Sequence, residues 1–456
     1  MSAAIALPEP ELPETQVQPQ PARRHSNDVV LYGLAALLLF CPLAFGAVEP
    51  WAVFILQSVT TILFVVWLFA QTRTQMRAPQ PTILWTPIFP PMFAFLALIC
   101  IQMLPGISAY RHATYSGLLL YIAYGLACFL ITQTLTRTTH VRRLATAAVV
   151  YGTSMAMFAV LQSLSSAGKL YWLRTPRFGG WIYGPYVNHN HYAGLMEMLL
   201  PVPLVFAFSR YSRGKERWAA ASAAAFMGAT IFLSGSRGGM IAFAVQIAIF
   251  LGFLFRERTA GRAAFLLTTF LVVSLVSIAW IGGSDVTARL STISANKHSE
   301  IAGDIRFKIN RDTLHMFAQR PFLGWGLGTF ETVYPQFRSF YTNDLVDKAH
   351  NDYLQLLAET GVVGFAVMLW FLIAGFRRAV PKIRNWPSNV NGAVALVAVL
   401  GISGILVHSF VDFNLEIPAN ALLFYFLCAV AAMDPRFRNS RKSGKGKDTA
   451  PENTFV

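Results

Sequence analysis

The chain has 456 residues, 55% hydrophobic and 13% charged, with a formal net charge of +15 and a mean hydropathy of +0.48. A soluble domain carries about 25% charged residues, so this composition excludes a water-soluble globular protein. Apolar runs of about 20 residues recur along most of the length and predict an all-α, polytopic integral membrane protein. Runs this long argue for helices over a barrel, because each span must satisfy its own backbone in lipid.

Residues 1–27 are rich in Pro, Gln, Glu and Ala, lack an apolar period, and read as a disordered cytoplasmic tail. No short apolar region with a small-residue cleavage site follows Arg23 and Arg24, so a cleavable signal peptide is not expected. A transmembrane domain is predicted over 28–435, with about twelve spans near 29–48, 51–70, 83–104, 117–135, 144–164, 192–209, 218–234, 240–255, 263–282, 362–376, 392–411 and 420–433. The first two form a tight hairpin across Ala47-Val48-Glu49-Pro50. Residues 436–456 form a basic cytoplasmic tail. The four cysteines, Cys41, Cys100, Cys128 and Cys428, lie in apolar spans and read as small core residues.

Charge follows topology. With the N-terminus in the cytoplasm, 24 of the 37 basic residues fall on the cytoplasmic side and every short cytoplasmic loop is basic. The positive charge is thereby assigned to membrane orientation, with no nucleic acid as partner. This orientation brings three polar regions to the outer face: the loop 165–191, the junction Ser234-Gly235-Ser236-Arg237-Gly238-Gly239, and the long loop 283–361.

The first region ends in Asn188-His189-Asn190-His191. No Asp, Glu or Cys accompanies it at ligand spacing, so no metal is expected. Amides and imidazoles beside Trp181, Tyr183, Tyr186 and Tyr192 suit sugar hydroxyls, or an ordered turn held by its own amides. In the second region, Arg237 lies between apolar spans among Gly and Ser. An arginine there is costly unless an anion meets it, and small neighbours allow a phosphate to approach.

In the third region, Asp304 can cap a helix that ends at Arg320-Pro321, with Ile305, Ile309, Met316 and Phe317 on one side. Arg306, Lys308 and Arg311 are then basic groups near the outer leaflet, Lys308 as a headgroup-facing charge. The glycine-rich turn from Pro321 to Phe330 is not a nucleotide loop, because no strand precedes it and no Gly-Lys-Ser/Thr closes it. His350, Asn351 and Asp352 then sit where a helix begins, with Gly361 as its stop and an apolar span from Val362. A histidine at a helix N-terminus is biased toward neutral imidazole and can accept a proton. The spans are almost free of acids: Glu197, Asp412 and Glu416 lie near ends, and His408 is the nearest approach to a buried ionisable group. That speaks against an ion-coupled transporter.

Together these motifs resemble the O-antigen ligase and polymerase family of bacterial envelope enzymes. The carriers are Ser236-Arg237-Gly238-Gly239, Arg306 opening the loop helix, Pro-x-x-Gly-x-Gly-x-Gly-x-Phe from Pro321 to Phe330, and His-Asn, nine residues, Gly-x-x-Gly from His350 to Gly364. Asn188-x-Asn190-x-x-Ala193 is a further likeness. The resemblance covers roughly 150–430 and implies glycan transfer from an undecaprenyl diphosphate carrier to an acceptor glycan or lipid hydroxyl. The site faces the periplasm at the bacterial inner membrane, with membrane lipids around it and no cofactor. It implies Arg237 and Arg306 on the diphosphate and His350 on the acceptor hydroxyl. Asn351, Asn188 and Asn190 are implied as positioning groups, with Arg311 in reserve. A flippase or exporter of lipid-linked polysaccharide is the alternative that the same basic groups allow.

Overall fold

The computed structural model describes residues 21–75, 83–176, 180–256, 303–342 and 345–433, with positions 261, 268 and 272. The expected span 263–282, most of the N-terminal tail and the tail 436–456 lie outside the described residues.

The apolar runs fold as helices whose ends fall at Pro, Gly and Asn. The helices are α1 (Pro21–Leu43), α2 (Pro50–Gln75), α3 (Phe89–Gln102), α4 (Arg111–Thr134), α5 (Thr138–Ser165), α6 (His189–Leu199) and α7 (Pro201–Phe208). They continue with α8 (Gly214–Leu233), α9 (Arg237–Arg256), α10 (Gly303–Gln319), the single turn α11 (Phe330–Val333), α12 (Asp352–Lys382), α13 (Val390–His408) and α14 (Pro418–Ala432). α1 begins at Pro21, so the last residues of the expected tail are helical.

Among the described residues, eight helices are long and apolar enough to cross a membrane, which makes this a helical membrane protein. The expectation of twelve exceeds that number for identifiable reasons. α3 and α14 are apolar but only 14 and 15 residues long. α8 has the length, but opens on Lys215, Glu216 and Arg217 and falls outside the eight. The twelfth, 263–282, is not described.

The centre of the bundle is α6 followed by α7. This stretch is 83% buried over its most apolar window, whereas α2 and α5 are 28% buried and present most of their apolar surface outward. Pro201 separates the two helices without interrupting the apolar run. Tyr183, Tyr186 and Tyr192 are buried here. The Tyr186 hydroxyl lies 2.9 Å from Asn420 Oδ1, and the Tyr192 hydroxyl 2.8 Å from Thr230 Oγ1. They are core residues and offer no sugar platform.

Gly361 ends a helix, as expected: it takes φ 65°, ψ −172°, and α12 is two helices that meet across the kink there. That conformation is open only to glycine. The freed N–H groups of Val362 and Val363 donate to the carbonyls of Pro321 and Phe322, at 2.8 and 3.3 Å. Trp325 N and Gly326 N donate in return to the carbonyls of Ala358 and Glu359. The Glu359 carboxylate accepts from Gly328 N at 2.7 Å and Phe330 N at 3.1 Å. The glycine-rich turn is therefore the wedge that completes the kink. Its glycines allow contact so close that a Cβ at Gly324 would lie 2.3 Å from the Glu359 carbonyl carbon.

α10 packs its expected side inward: Ile309 and Met316 are fully buried with Phe330, Val333 and Tyr334, and Ile305 and Phe317 flank them. The side chain of Asp304 lies outside the described residues. Replacing Gly361 with Ala is expected to destabilise the protein by about 1–3 kcal/mol, since the added Cβ would also fall 2.1 Å from the Phe322 carbonyl oxygen. Thermal unfolding of the purified protein in detergent checks this; an unchanged midpoint would contradict the kink.

Candidate active site

Four helix ends meet at one cavity: the N-terminal ends of α6, α9 and α12 and the C-terminal end of α13. Three N-termini bring the positive ends of their dipoles, which favours an anion. The cavity measures about 350 Å³ and is lined on its polar side by Asn190, Arg237, Arg306, Asn310, His350 and Asp412. The two arginines and the histidine singled out in the sequence, from three separate segments, thus share one wall.

Each is placed by a local device. Arg237 is exposed at the first position of α9, whose first turn is capped by Ser236 Oγ accepting from Gly239 N at 3.1 Å. Arg306 stands in the first turn of α10, and its Nη1 donates to the Val411 carbonyl at 3.0 Å. Its buried Nε has no hydrogen-bond partner among the described residues, so most of the guanidinium fork remains for a ligand. The Asn310 Oδ1 is likewise buried and unpartnered at the cavity.

His350 sits two residues before α12, in the left-handed region at φ 52°. Such a conformation in a non-glycine residue costs on the order of 1 kcal/mol and persists only where the surroundings impose it. Here they do. Ala349 N donates to Gln355 Oε1, and Lys348 pairs with Glu416 at 2.8 Å. Asp352 N donates to the Ser409 carbonyl, and the Asp352 carboxylate accepts from Ser409 Oγ at 2.6 Å and Leu415 N at 3.1 Å. The His350 ring, 8% exposed, packs edge-on against Phe413 at 4.8 Å, and His191 packs against Phe413 at 4.7 Å.

Asp412 completes the arrangement. Its Oδ1 lies 3.6 Å from His350 Nδ1, an ion-pair separation slightly longer than a hydrogen bond. Burial alone would raise the Asp412 pKa. The contact with His350 and the nearby His191 and Arg306 outweigh it and hold the carboxyl well below its ordinary range. Burial alone would lower Lys348, but Glu416 and Glu359 outweigh it and raise the ammonium above its usual value. The cavity's other side is apolar and open: Ile241, Phe307, Phe410 and Val411 line it and are all well exposed.

Not every predicted residue reaches this wall. Asn188 and Asn351 use their side-chain oxygens as helix caps, accepting from Asn190 N at 2.9 Å and from Tyr353 N and Leu354 N at 3.1 Å each. Neither lines the cavity. Asn351 also donates to the Phe410 carbonyl at 3.0 Å, which ties α12 to the loop after α13. Arg311 does not line the cavity; it bonds Ser339 Oγ at 3.0 Å beside the buried Asp312.

Three participants escaped the sequence reading: Asp412, Asn310 and Glu197. Glu197, expected near a span end, is fully buried and lies 2.8 Å from His408 Nδ1. Among the described residues there is no group of three or more His, Cys, Asp or Glu that could hold a metal ion. His189 packs on Trp181 at 4.8 Å and His191 on Phe413, so the two imidazoles serve different neighbours.

The family model described as O-antigen ligase matches residues 222–369. That stretch contains Arg237, Arg306, Arg311, His350, Asn351 and the glycine-rich turn. Asn188, Asn190, Glu197, His408 and Asp412 fall outside it. No curated protein matches the chain.

A depressed carboxyl contributes stability that is full above its unfolded pKa of about 3.9 and is lost as pH falls through the lower folded value. Asp412→Asn is therefore expected to lower the unfolding midpoint by a constant amount between pH 5 and 8. The gap between wild type and variant should shrink below about pH 4. Thermal scans in detergent from pH 3 to 8 measure it, and a gap that widens toward acid would refute the depressed value.

Proposed function

We propose that this chain, which belongs to the O-antigen ligase family through residues 222–369, transfers a glycan from an undecaprenyl-diphosphate-linked donor to an acceptor hydroxyl on the periplasmic face of the bacterial inner membrane. Membership alone makes it a glycosyl-transfer enzyme of the membrane. Donor, sidedness and residue roles are our reading. Read from the sequence as twelve spans with basic short inner loops, the chain has both ends on the cytoplasmic side.

One observation carries the reading: two guanidiniums and an imidazole–carboxylate pair, far apart in sequence, line a single cavity with one polar and one apolar side. The donor has the same division. Its diphosphate needs fixed positive charge, which Arg237 and Arg306 supply as bidentate forks. Its polyprenyl tail needs an apolar exit, which Ile241, Phe307, Phe410 and Val411 supply. Its sugar is left facing His350, Asn190 and Asn310.

The acceptor oxygen attacks the anomeric carbon as the bond from that carbon to the diphosphate oxygen breaks. The electron pair stays on the leaving diphosphate, where the two arginines stabilise the growing charge. The acceptor proton passes to His350 Nε2, while Asp412 at the Nδ1 side orients the ring and favours the imidazolium that forms. Asn188 and Asn351 position the site through their caps. Arg311 braces α10 and through it Arg306. A single acceptor sugar or lipid gives a ligase; a further repeat unit as acceptor gives a polymerase.

Replacing His350 with Ala is expected to lower turnover by about 10²–10⁴ while the affinity for lipid-linked donor stays within about twofold. An assay joining extracted lipid-linked glycan to acceptor measures the first, and donor binding the second. Near-normal transfer would end the catalytic role and favour an exporter. Arg237→Lys keeps the charge but loses the fork. Donor affinity or rate should fall at least about tenfold, equivalent to about 1.4 kcal/mol, and an unchanged enzyme would count against the clamp.

A further inference from the structure

Under Arg237 the cavity wall is backed by three polar side chains from three parts of the bundle. Glu197 comes from α6, His408 is the last residue of α13, and Ser236 caps α9. All three are fully buried. Glu197 Oε1 lies 2.8 Å from His408 Nδ1, and His408 Nε2 lies 3.4 Å from Ser236 Oγ. The chain ends on Gly239 N, in the turn that begins with Arg237.

A buried carboxylate within a span is costly even when paired, and an apolar replacement would serve packing as well. Its retention calls for a role beyond packing. The fit around the turn suggests which one. A Cβ at Gly238 would lie 2.6 Å from His408 Cδ2, and a Cβ at Gly239 would lie 2.8 Å from the Ala193 Cβ. The imidazole therefore lies against the backbone of α9 with no slack, and His408 itself lines the cavity. Gln246 adds a second tie between the same helices, donating to the carbonyls of Glu197 at 2.7 Å and Leu400 at 2.9 Å.

We propose that Glu197, His408 and Ser236 are positioning residues for Arg237: the buried relay fixes the first turn of α9, and so the direction in which the guanidinium meets the lipid diphosphate. This rests on the diphosphate reading above. Glu197 keeps His408 in one ring orientation, His408 holds Ser236, and the Ser236 hydroxyl holds the turn. None of the three need touch the donor phosphate.

The test measures binding of undecaprenyl diphosphate to the full-length protein in detergent, with the unfolding midpoint of each variant recorded without probe. Glu197→Gln preserves size and is preferred to removing His408, which would leave a buried acid alone. Glu197→Gln and Ser236→Ala should each weaken binding at least fivefold when Arg237 is present and less than twofold in an Arg237→Ala background. Ser236→Thr, which keeps the hydroxyl, should bind within twofold of wild type. Equal losses in both backgrounds, or no loss in either, would overturn the positioning role while leaving the clamp intact. If Arg237→Ala itself binds the probe normally, the clamp reading fails, and the positioning role fails with it.

Discussion

The site depends on one buried carboxylate, Asp352, which fastens two stretches of chain to each other. It accepts from Ser409 Oγ and Leu415 N, and its own N–H donates to the Ser409 carbonyl. These bonds bring the stretch preceding α12 against the stretch following α13. His350 belongs to the first and Asp412 to the second. With the Ala349–Gln355 bond and the Lys348–Glu416 pair, the clasp holds His350 in its left-handed backbone conformation beside the Asp412 carboxylate. A hydrogen bond contributes about 0.5–1.5 kcal/mol net, so the three together outweigh a backbone cost on the order of 1 kcal/mol.

The electrostatics of the cavity follow from what lipid forbids. A bilayer offers no partner to a free polar group, so the bundle satisfies most of its polar groups internally. Gln102, Gln133, Gln162 and Gln246 each donate to backbone carbonyls in this way. At the cavity, the Arg306 Nε and the Asn310 Oδ1 are buried with no hydrogen-bond partner among the described residues. Asp412 balances only part of the positive charge, and the contact with His350, with Arg306 nearby, holds its carboxyl below the ordinary range.

How much of this could be read in advance depended on how local each signal was. Arg237, Arg306 and His350, which line one cavity, could be singled out as candidates because each sits in a short motif of Gly, Ser or helix-capping residues. Asp412 and Glu197 were not, because each carboxylate finds its partner far along the chain, 62 and 211 residues away. Gly361 was legible as a helix stop, but the carbonyls that take up the N–H groups after it, those of Pro321 and Phe322, were not. Asn188 and Asn351 were expected as positioning groups, and both act as helix caps, the first role of an Asn just before an apolar helix. The three tyrosines beside Asn188 were read as a sugar surface, but all three are buried in the core, where the Tyr186 and Tyr192 hydroxyls are hydrogen-bonded. The helices themselves were largely legible from apolar length. Their number was less so, because α3 and α14 are short.

The same cross-links bear on whether the cavity transfers glycan or passes it through. Export requires an element with two arrangements that open the cavity to each side in turn. The walls here are pinned from several directions at once. α12 is tied to α13 by Tyr353, whose hydroxyl donates to the Leu406 carbonyl at 2.6 Å, and to the following loop by Asn351 and Asp352. α9 is tied to α6 and α13 through Gln246 and the Glu197–His408 pair. Moving any one wall would expose a carboxylate, an imidazole or a backbone carbonyl in apolar surroundings, each at a cost of several kcal/mol. Such ties favour the transfer reading proposed above over export, since a cavity held by cross-links on several sides suits the stabilisation of one transition state.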